Sequence, residues 1–218
     1  MIDKLTPRLR KAFKMIPLGT CVMDIGADRG FLSLALASSG FKTYASENKK
    51  GPFDALMNEC SCYKGDNLSL IFTDGIDTLP SDVNTLVILG MGGRTIYDIL
   101  SRHEDKLKQI KYLVVEPQSD MKKTISYLLD NHYENIDGMY VYERRYYPLL
   151  LFKRNEELTK VYSIEEYHYG VVPLLKKDEL LKKHLDKELR RIESLSSLGK
   201  ERNKEYKALL LKGLKHYE

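Results

Sequence analysis

The sequence predicts an α/β fold in which a mostly parallel sheet carries helices on both faces and is followed by a helical hairpin. Short apolar segments typical of strands alternate about five times with helical segments, an order that builds such a sheet. Residues 85–89 (TLVIL) are nearly all apolar and β-branched, as in a strand buried on both faces. Beyond residue 173, apolar side chains recur at three- and four-residue spacing, which indicates two antiparallel helices.

Proline and glycine bound the predicted elements. Pro17 ends an opening helix with helical apolar spacing, and Gly40 closes the helix after the first strand. Pro52 lies near a helix start, where proline is favoured. In chain order we expect a helix at 5–16, strands at 20–25, 42–46, 68–73, 85–89 and 112–115, helices at 30–38, 49–62, 95–102 and 121–131, a helical turn at 76–79, and a β-hairpin of segments 135–143 and 146–153.

The C-terminal part of the chain differs from the rest in charge. Residues 176–218 contain 13 Lys and Arg and 8 Asp and Glu, a net charge of +5, whereas the other 175 residues carry −1. We therefore divide the chain into a sheet domain at 1–158 and a linker with a helical hairpin at 159–218, whose first apolar stripe runs to Leu195 and breaks at Gly199. A basic appendage suggests an anionic partner, nucleic acid first. A solvated charged helix face or a dimerisation hairpin is the alternative.

Composition argues against several classes of protein. No apolar run reaches the roughly 18 residues needed to span a bilayer, and the N-terminus lacks the apolar core of a signal peptide. We therefore expect a cytoplasmic protein with no membrane partner. The three cysteines (Cys21, Cys60 and Cys62) are odd in number and are expected to be reduced thiols. The histidines are scattered, and we expect no metal site.

A glycine-bearing turn follows the first predicted strand and precedes a helix, a place where ligands approach the backbone closely. A dinucleotide site requires glycine at three positions of this turn, but Gly26 is followed by Asp28 and Phe31 at the second and third. A carboxylate at position 28 would repel a pyrophosphate, and no GK[ST] sequence indicates a phosphate-binding loop. The turn therefore favours a ligand with positive charge, such as an amine or a sulfonium.

Acidic residues follow the next two strands. Glu47 lies about 20 residues after the turn, where an acid can accept hydrogen bonds from two ribose hydroxyls. Asp74 follows the third strand and can accept from the exocyclic amine of adenine. A surface glutamate and an Asp-Gly turn are the respective alternatives. Because the carboxyl ends of parallel strands meet at one edge, we expect Asp24, Gly90 and Glu116 at the same rim. Together these features describe a site for S-adenosylmethionine.

Several segments resemble a known family. They are DIGADRGFLSLALASSG, SENKKGPFDAL, TDGIDTL, ILGMGG and VEPQSD, followed by an ExxYYxLL segment and Tyr169-Gly170. The set is similar to the bacterial TrmK-type tRNA (adenine-N1)-methyltransferases, which modify adenine 22 of the D-arm. The resemblance covers nearly the whole chain. It implies a Rossmann-like class I methyltransferase domain with a C-terminal coiled-coil hairpin, S-adenosylmethionine as cofactor and tRNA as substrate. We expect a monomer.

The site residues follow from the rim and from this resemblance. The family's motif acid falls on Asp28, our candidate for catalysis or cofactor placement. We expect cofactor contacts from Asp24, Gly26, Asp28, Glu47, Asn48, Asp74, Gly75, Gly90 and Met91. We expect substrate contacts from Arg29, Gly92, Gly93, Pro117, Gln118, Arg144, Arg145 and Tyr147, and, on the basic tail, from Lys182, Lys183, Lys187, Arg190 and Arg191. Two positions depart from the family: Arg29 replaces a usual His, and Gln118 an Asn.

The chemistry of methyl transfer to adenine N1 places modest demands on the protein. N1 already has an in-plane lone pair, so positioning for in-line attack matters more than a strong base. A carboxylate near the base would stabilise the developing positive charge, which is the role expected of Asp28; a turn or helix-cap role is its alternative. N1 lies on the Watson–Crick edge, so the base must leave its pairing. Two other functions stay open: a class I methyltransferase with a non-tRNA substrate, and a catalytically inactive RNA-binding relative.

Overall fold

A seven-stranded mixed sheet forms the centre of the protein. The computed structural model describes residues 2–194 and 201–218. The strands are β1 (Cys21–Ile25), β2 (Lys42–Glu47), β3 (Leu68–Phe72), β4 (Thr85–Met91), β5 (Tyr112–Pro117), β6 (Tyr133–Glu143) and β7 (Arg145–Arg154). Their order is β3-β2-β1-β4-β5-β7-β6, with the first five parallel and β7 antiparallel to both β5 and β6. The predicted parallel sheet with a terminal antiparallel hairpin is confirmed.

Helices cover both faces of this sheet, as predicted. They are α1 (Pro7–Met15), α2 (Phe31–Ser38), α3 (Lys50–Cys60), α4 (Gly93–Ser101), α5 (Glu104–Leu107), α6 (Met121–Asp130), α7 (Ile164–Tyr169), α8 (Val171–Leu175), α9 (Glu179–Ser194) and α10 (Glu201–Lys215). One face packs against α4 and α6, with Ile96 and Leu128 buried there, and the other packs against α1 and α2, with Leu36 buried. Helix α1 begins at Pro7, a residue suited to the first helical position, and the Thr6 hydroxyl caps it.

The segment 76–79 is a turn, and the prediction of a helical turn there was wrong. The Asp77 N–H donates to the Asp74 carbonyl (3.0 Å), and the Thr78 N–H donates to the Thr73 hydroxyl (3.0 Å). A side-chain acceptor thus takes a backbone donor that a helix would need. Sequence reasoning also missed the short helices α5, α7 and α8, although α7 opens with a capping box that starts at Ser163.

Strand β4 extends beyond its predicted end because it contains a bulge at Gly90. Leu89 pairs with Glu116 and Met91 pairs with Pro117, so Gly90 is an extra residue between them. Its φ of +76° is one that glycine adopts without a steric penalty. Strand β5 likewise includes Glu116 and Pro117, which were expected after its end. The bulge brings the end of β4 to the rim of the sheet.

The two C-terminal helices pack against each other and against the β6–β7 hairpin. The Tyr217 hydroxyl donates to the Asp178 carbonyl (2.9 Å), and Lys207 pairs with Glu193 (2.9 Å), so α9 and α10 run antiparallel. One apolar cluster contains side chains of both helices and of β6. The last residue of the first predicted stripe, Leu195, and the predicted break at Gly199 lie outside the described part of the chain. No described helix combines the length and apolar character needed to cross a membrane.

Candidate active site

The carboxyl ends of the central strands meet at one rim, as predicted, and enclose two adjoining cavities of about 410 Å³ each. Gly26, Glu47 and Met91 line both cavities and form the boundary between them. The first, which we call the β3 cavity, is also lined by Asn48, Thr73, Asp74, Gly75, Asp98 and Arg102. The second, which we call the β1 cavity, is also lined by Arg8, Asp24, Asp28, Phe31, Gly90 and Gln118. An elongated ligand can therefore extend across the boundary into both.

The glycine turn is held against the end of β2. The N–H groups of Gly26 and Ala27 both donate to the Ser46 carbonyl (3.0 Å each). Gly26 has a φ of +69°, and a Cβ there would collide with the terminal methyl of Met91. Any side chain at this position would therefore displace Met91 at the boundary between the cavities. Asp28 is exposed at a φ of +52°, a left-handed conformation that aspartate tolerates better than most residues.

Asp24 is a buried carboxyl group in the wall of the β1 cavity. The Ser33 hydroxyl donates to its Oδ2 (2.5 Å). Burial, with a smaller contribution from the negative charge of Glu47, raises the pKa of Asp24 to about 6, although the hydrogen bond from Ser33 acts to lower this pKa. A buried carboxylate next to a like charge is stabilised when a cation binds beside it. The geometry therefore fits a ligand with an ammonium group in this cavity.

Glu47 and Asp74 are the acceptors on the β3 side of the boundary. The Asp28 N–H donates to Oε1 of Glu47 (2.6 Å), which fixes this carboxylate beside the turn. Asp74 accepts from Nη1 of Arg102 (2.9 Å) and from Nδ2 of Asn48 (2.8 Å), and these two hydrogen bonds lower its pKa. Each carboxylate oxygen has a second lone pair, so both residues can still accept from a ligand. Arg102 follows the last residue of α4, and it was not predicted because no sequence pattern singles it out there.

A buried ion pair lies at the far side of the β1 cavity, and sequence reasoning missed it. Nη1 of Arg8 donates to both carboxylate oxygens of Glu116 (2.8 Å each), and Nε of Arg8 donates to Glu143 (3.3 Å). Glu116 is fully buried, and burial raises its pKa despite Arg8 and hydrogen bonds from the Gln118 side chain and the Gly90 N–H. Glu116 thus connects α1, the β4 bulge and the residue after β5.

Residues predicted to contact the substrate lie in three groups, two beside the rim and one on α9. In the first group, Gln118 is exposed and lines the β1 cavity, whereas Pro117 is buried in β5. Gly92 directly precedes α4, and Gly93 is the first residue of this helix. A Cβ on Gly93 would collide with the carbonyl of Asp120, so the loop after β5 lies directly against the start of α4. These residues form one wall beside the bulge.

The second group surrounds the tip of the β6–β7 hairpin. Arg144 and Arg145 are exposed there, and the centre of the Tyr147 ring lies 5.1 Å from the guanidinium of Arg8 and 5.7 Å from that of Arg145. Arg29, from the glycine turn, instead pairs with a glutamate of α3 at 3.4 Å and lies 5.5 Å from the Phe31 ring.

The third group consists of cations on α9, outside both cavities. Lys183, Lys187, Arg190 and Arg191 are exposed, whereas Lys182 is partly covered and lies over the ring of a C-terminal tyrosine. Across residues 2–194 and 201–218, no cluster of three or more His, Cys, Asp or Glu side chains is placed to hold a metal ion.

Comparison with known proteins identifies the family. The methyltransferase-domain family matches residues 5–150. A Mycoplasma pneumoniae protein named "Putative tRNA methyltransferase" is 30% identical over 151 residues, which cover 66% of this chain and 67% of that protein. The tRNA (adenine(22)-N(1))-methyltransferase of Bacillus subtilis is 28% identical over 151 residues, covering 64% of this chain and 60% of the relative. These matches thus span about two thirds or less of the relatives' own length.

A solved structure extends the likeness over the full chain. The M. capricolum TrmK structure, in complex with S-adenosyl-homocysteine, superposes with a TM-score of 0.81 at 19% identity. The superposition covers 98% of this chain and 96% of that one, so the fold is shared from the first helix to the C-terminal pair. The sequence matches settle the family: the chain belongs to the methyltransferase-domain family and, within it, to the tRNA methyltransferases.

Proposed function

We propose that this chain transfers the methyl group of S-adenosylmethionine to N1 of adenine 22 in the D-arm of tRNA. The observation that carries the proposal is the pair of cavities that meet at Glu47, with Asp24 and Asp28 on one side and Asp74 on the other. The cofactor presents its polar groups in the same order: an amine and a sulfonium, then ribose hydroxyls, then an adenine amine. The Bacillus subtilis relative is named for adenine 22, which supports the choice of base.

The order of these residues suits the cofactor in one orientation. Glu47 would hold its ribose at the boundary, and Asp74 and Asn48 would hold its adenine in the β3 cavity. Asp24 would hold the ammonium of its amino-acid end in the β1 cavity. Gly26, which carries no side chain, would leave room for the cofactor beside Met91 at the boundary. The M. capricolum relative is in complex with the homocysteine product of this cofactor, which supports the assignment.

Catalysis by these residues consists of positioning and electrostatic stabilisation. The cofactor supplies an electrophilic methyl group on a sulfonium. The target base enters the β1 cavity from the side of Gly90 and Gln118, where the exposed Gln118 amide can bond to the base edge. N1 needs no general base because its lone pair is available. Asp28, exposed in the lining of the same cavity, stabilises the positive charge that the base acquires.

Asp28→Asn is expected to lower the rate of methyl transfer about 10- to 100-fold at saturating cofactor, because it removes the charge that stabilises the cationic base. Asparagine is the appropriate replacement, since it tolerates the left-handed backbone at this position, whereas alanine would add strain. The measurement is single-turnover methylation of tRNA, with Asp66→Asn as an exposed control away from both cavities. A near-normal rate for Asp28→Asn would show that Asp28 has no catalytic role.

The proposed function is tested by incubating the full chain with total tRNA and labelled cofactor, followed by nucleoside mass spectrometry. We expect 1-methyladenosine to carry the label. Its absence would overturn the proposal. Saturable cofactor binding without any labelled RNA would favour a non-tRNA substrate, and no cofactor binding by calorimetry would favour an inactive RNA-binding relative.

We further propose that residues 1–158 form the catalytic domain and that residues 159–218 grip the tRNA. The exposed cations of α9, Lys183, Lys187 and Arg190 among them, are suited to phosphate contacts. In this proposal the enzyme acts as a cytoplasmic monomer. Light scattering tests the oligomeric state, and a dimer held through α9 and α10 would contradict this part of the proposal.

A further inference from the structure

Three aromatic rings form a row on the β6–β7 hairpin and the adjoining face of α9. The Tyr142 and Tyr146 rings are 5.0 Å apart, and the Tyr146 and His184 rings are 5.3 Å apart, measured between centroids. Tyr142 is 53% exposed, while its neighbours in the row are partly covered. A large, half-exposed ring at the end of an ordered row offers a flat face to a ligand. We call these three residues the aromatic row.

The aromatic row lies close to the active site but outside its cavities. The pairing of β7 with β5 ends at Leu150 and Val115, and residues 145–149 continue with β6 toward the rim. Neighbouring residues of a strand point to opposite faces, so Tyr147 contacts Arg8 beside the β1 cavity whereas Tyr146 faces α9. One face of the hairpin borders the proposed entry for the target base, and the aromatic row lies on the opposite face.

A positive charge lies beside the aromatic row. Nζ of Lys187 lies 6.0 Å from the Tyr146 ring, and Arg144 is exposed at the tip of the same hairpin. Glu188, the acid of α9 that acts on His184, is already engaged in an ion pair with Arg191 (2.7 Å).

The aromatic row itself offers an uncharged surface at neutral pH. Burial lowers the pKa of His184, which keeps its imidazole neutral where it packs against Tyr146. An uncharged stacking surface beside a lysine matches a nucleobase with its phosphate, since bases stack on aromatic rings and phosphates bind cations.

We propose that Tyr142, Tyr146 and His184 form a stacking platform for an unpaired nucleobase of the tRNA, distinct from the target adenine. The inference rests on the proposed function and deepens it, because it names how the RNA is held while adenine 22 enters the β1 cavity. The base on the platform belongs to a nucleotide near the target, because the two sites lie on opposite faces of the same hairpin. The platform accepts any base, since stacking uses the ring face.

The test compares two substitutions of the exposed ring. Tyr142→Leu keeps apolar bulk but removes the aromatic face, and it is expected to raise the Kd for tRNA about 5- to 100-fold. Tyr142→Phe keeps the face and is expected to bind within about twofold of the wild-type protein. Lys187→Gln serves as a contrast, because loss of a phosphate contact reduces the slope of log Kd against log salt by about one, whereas loss of stacking leaves the slope unchanged.

The outcomes separate this inference from the proposed function. Failure of the wild-type protein to methylate tRNA would overturn the proposed function and the platform with it. Methylation by the wild-type protein together with wild-type tRNA affinity of Tyr142→Leu would overturn the platform alone. Loss of a dimer in Tyr142→Leu, seen by light scattering, would also overturn it and assign this face to contact with a second copy of the chain.

Discussion

Glu47→Ala is expected to weaken S-adenosylmethionine binding by about 100-fold or more. Glu47 lines both cavities, so its carboxylate is placed to accept both ribose hydroxyls, and hydrogen bonds to a charged acceptor contribute about 1.5–3 kcal/mol each. The substitution also removes the acceptor of the Asp28 N–H, which holds the glycine turn in place (2.6 Å). Two consequences therefore combine in one variant: a lost ligand contact and a loosened turn.

Calorimetric titration with S-adenosyl-homocysteine measures this effect without turnover. Glu47→Gln provides the control, because the amide oxygen can still accept from the Asp28 N–H while the negative charge is lost. We expect Glu47→Gln to bind with intermediate affinity. An affinity of Glu47→Ala within about threefold of the wild-type protein would show that the cofactor does not cross the boundary between the cavities.

Arg8→Ala is expected to reduce the free energy of unfolding by about 3 kcal/mol, because it leaves the fully buried Glu116 carboxylate without its guanidinium partner. Methyl transfer should fall as well, since Glu116 also binds the Gln118 side chain and the Gly90 N–H at the edge of the β1 cavity. Urea denaturation followed by circular dichroism measures the stability change. A loss under about 1 kcal/mol would contradict the structural role assigned to this pair.

The loss of stability caused by Arg8→Ala is expected to depend on pH. Burial already raises the pKa of Glu116 in the folded protein, and removal of Arg8 raises it further. A folded-state pKa above the unfolded value means that the folded variant binds a proton that the unfolded chain releases, so its stability falls as pH rises through the folded pKa. The destabilisation by Arg8→Ala should therefore be smaller at pH 5 than at pH 8. Adding Glu116→Gln to Arg8→Ala should flatten this dependence, since no ionisable group remains in the pair.

The rim of the site could be predicted because short stretches of sequence identify each of its residues. Each of Asp24, Glu47 and Asp74 lies at or just after the end of a strand that hydrophobic patterning identifies, and parallel strands bring those ends together. The departure from a dinucleotide turn was also visible, since Asp28 and Phe31 occupy the positions where glycine would be needed.

The rest of the site depends on contacts between distant parts of the chain. Arg8 and Glu116 are separated by 108 residues, and no pattern in either segment marks them as partners. The bulge at Gly90 could not be predicted from the sequence, because ILGMGG is equally consistent with a strand that ends at Leu89. The turn at 76–79 was mistaken for a helix because the hydrogen bond from the Thr78 N–H to the Thr73 hydroxyl depends on a side-chain orientation, which apolar spacing does not report.

The central claim is that this chain methylates one defined adenine of tRNA, and a pair of RNA transcripts tests it most directly. One is an unmodified tRNA with adenine at position 22, and the other is identical except for guanine at that position. After incubation with labelled S-adenosylmethionine and digestion, nucleoside mass spectrometry should find about one labelled 1-methyladenosine per molecule in the first transcript and none in the second. Equal labelling of both transcripts, or a different methylated nucleoside in the first, would contradict the account.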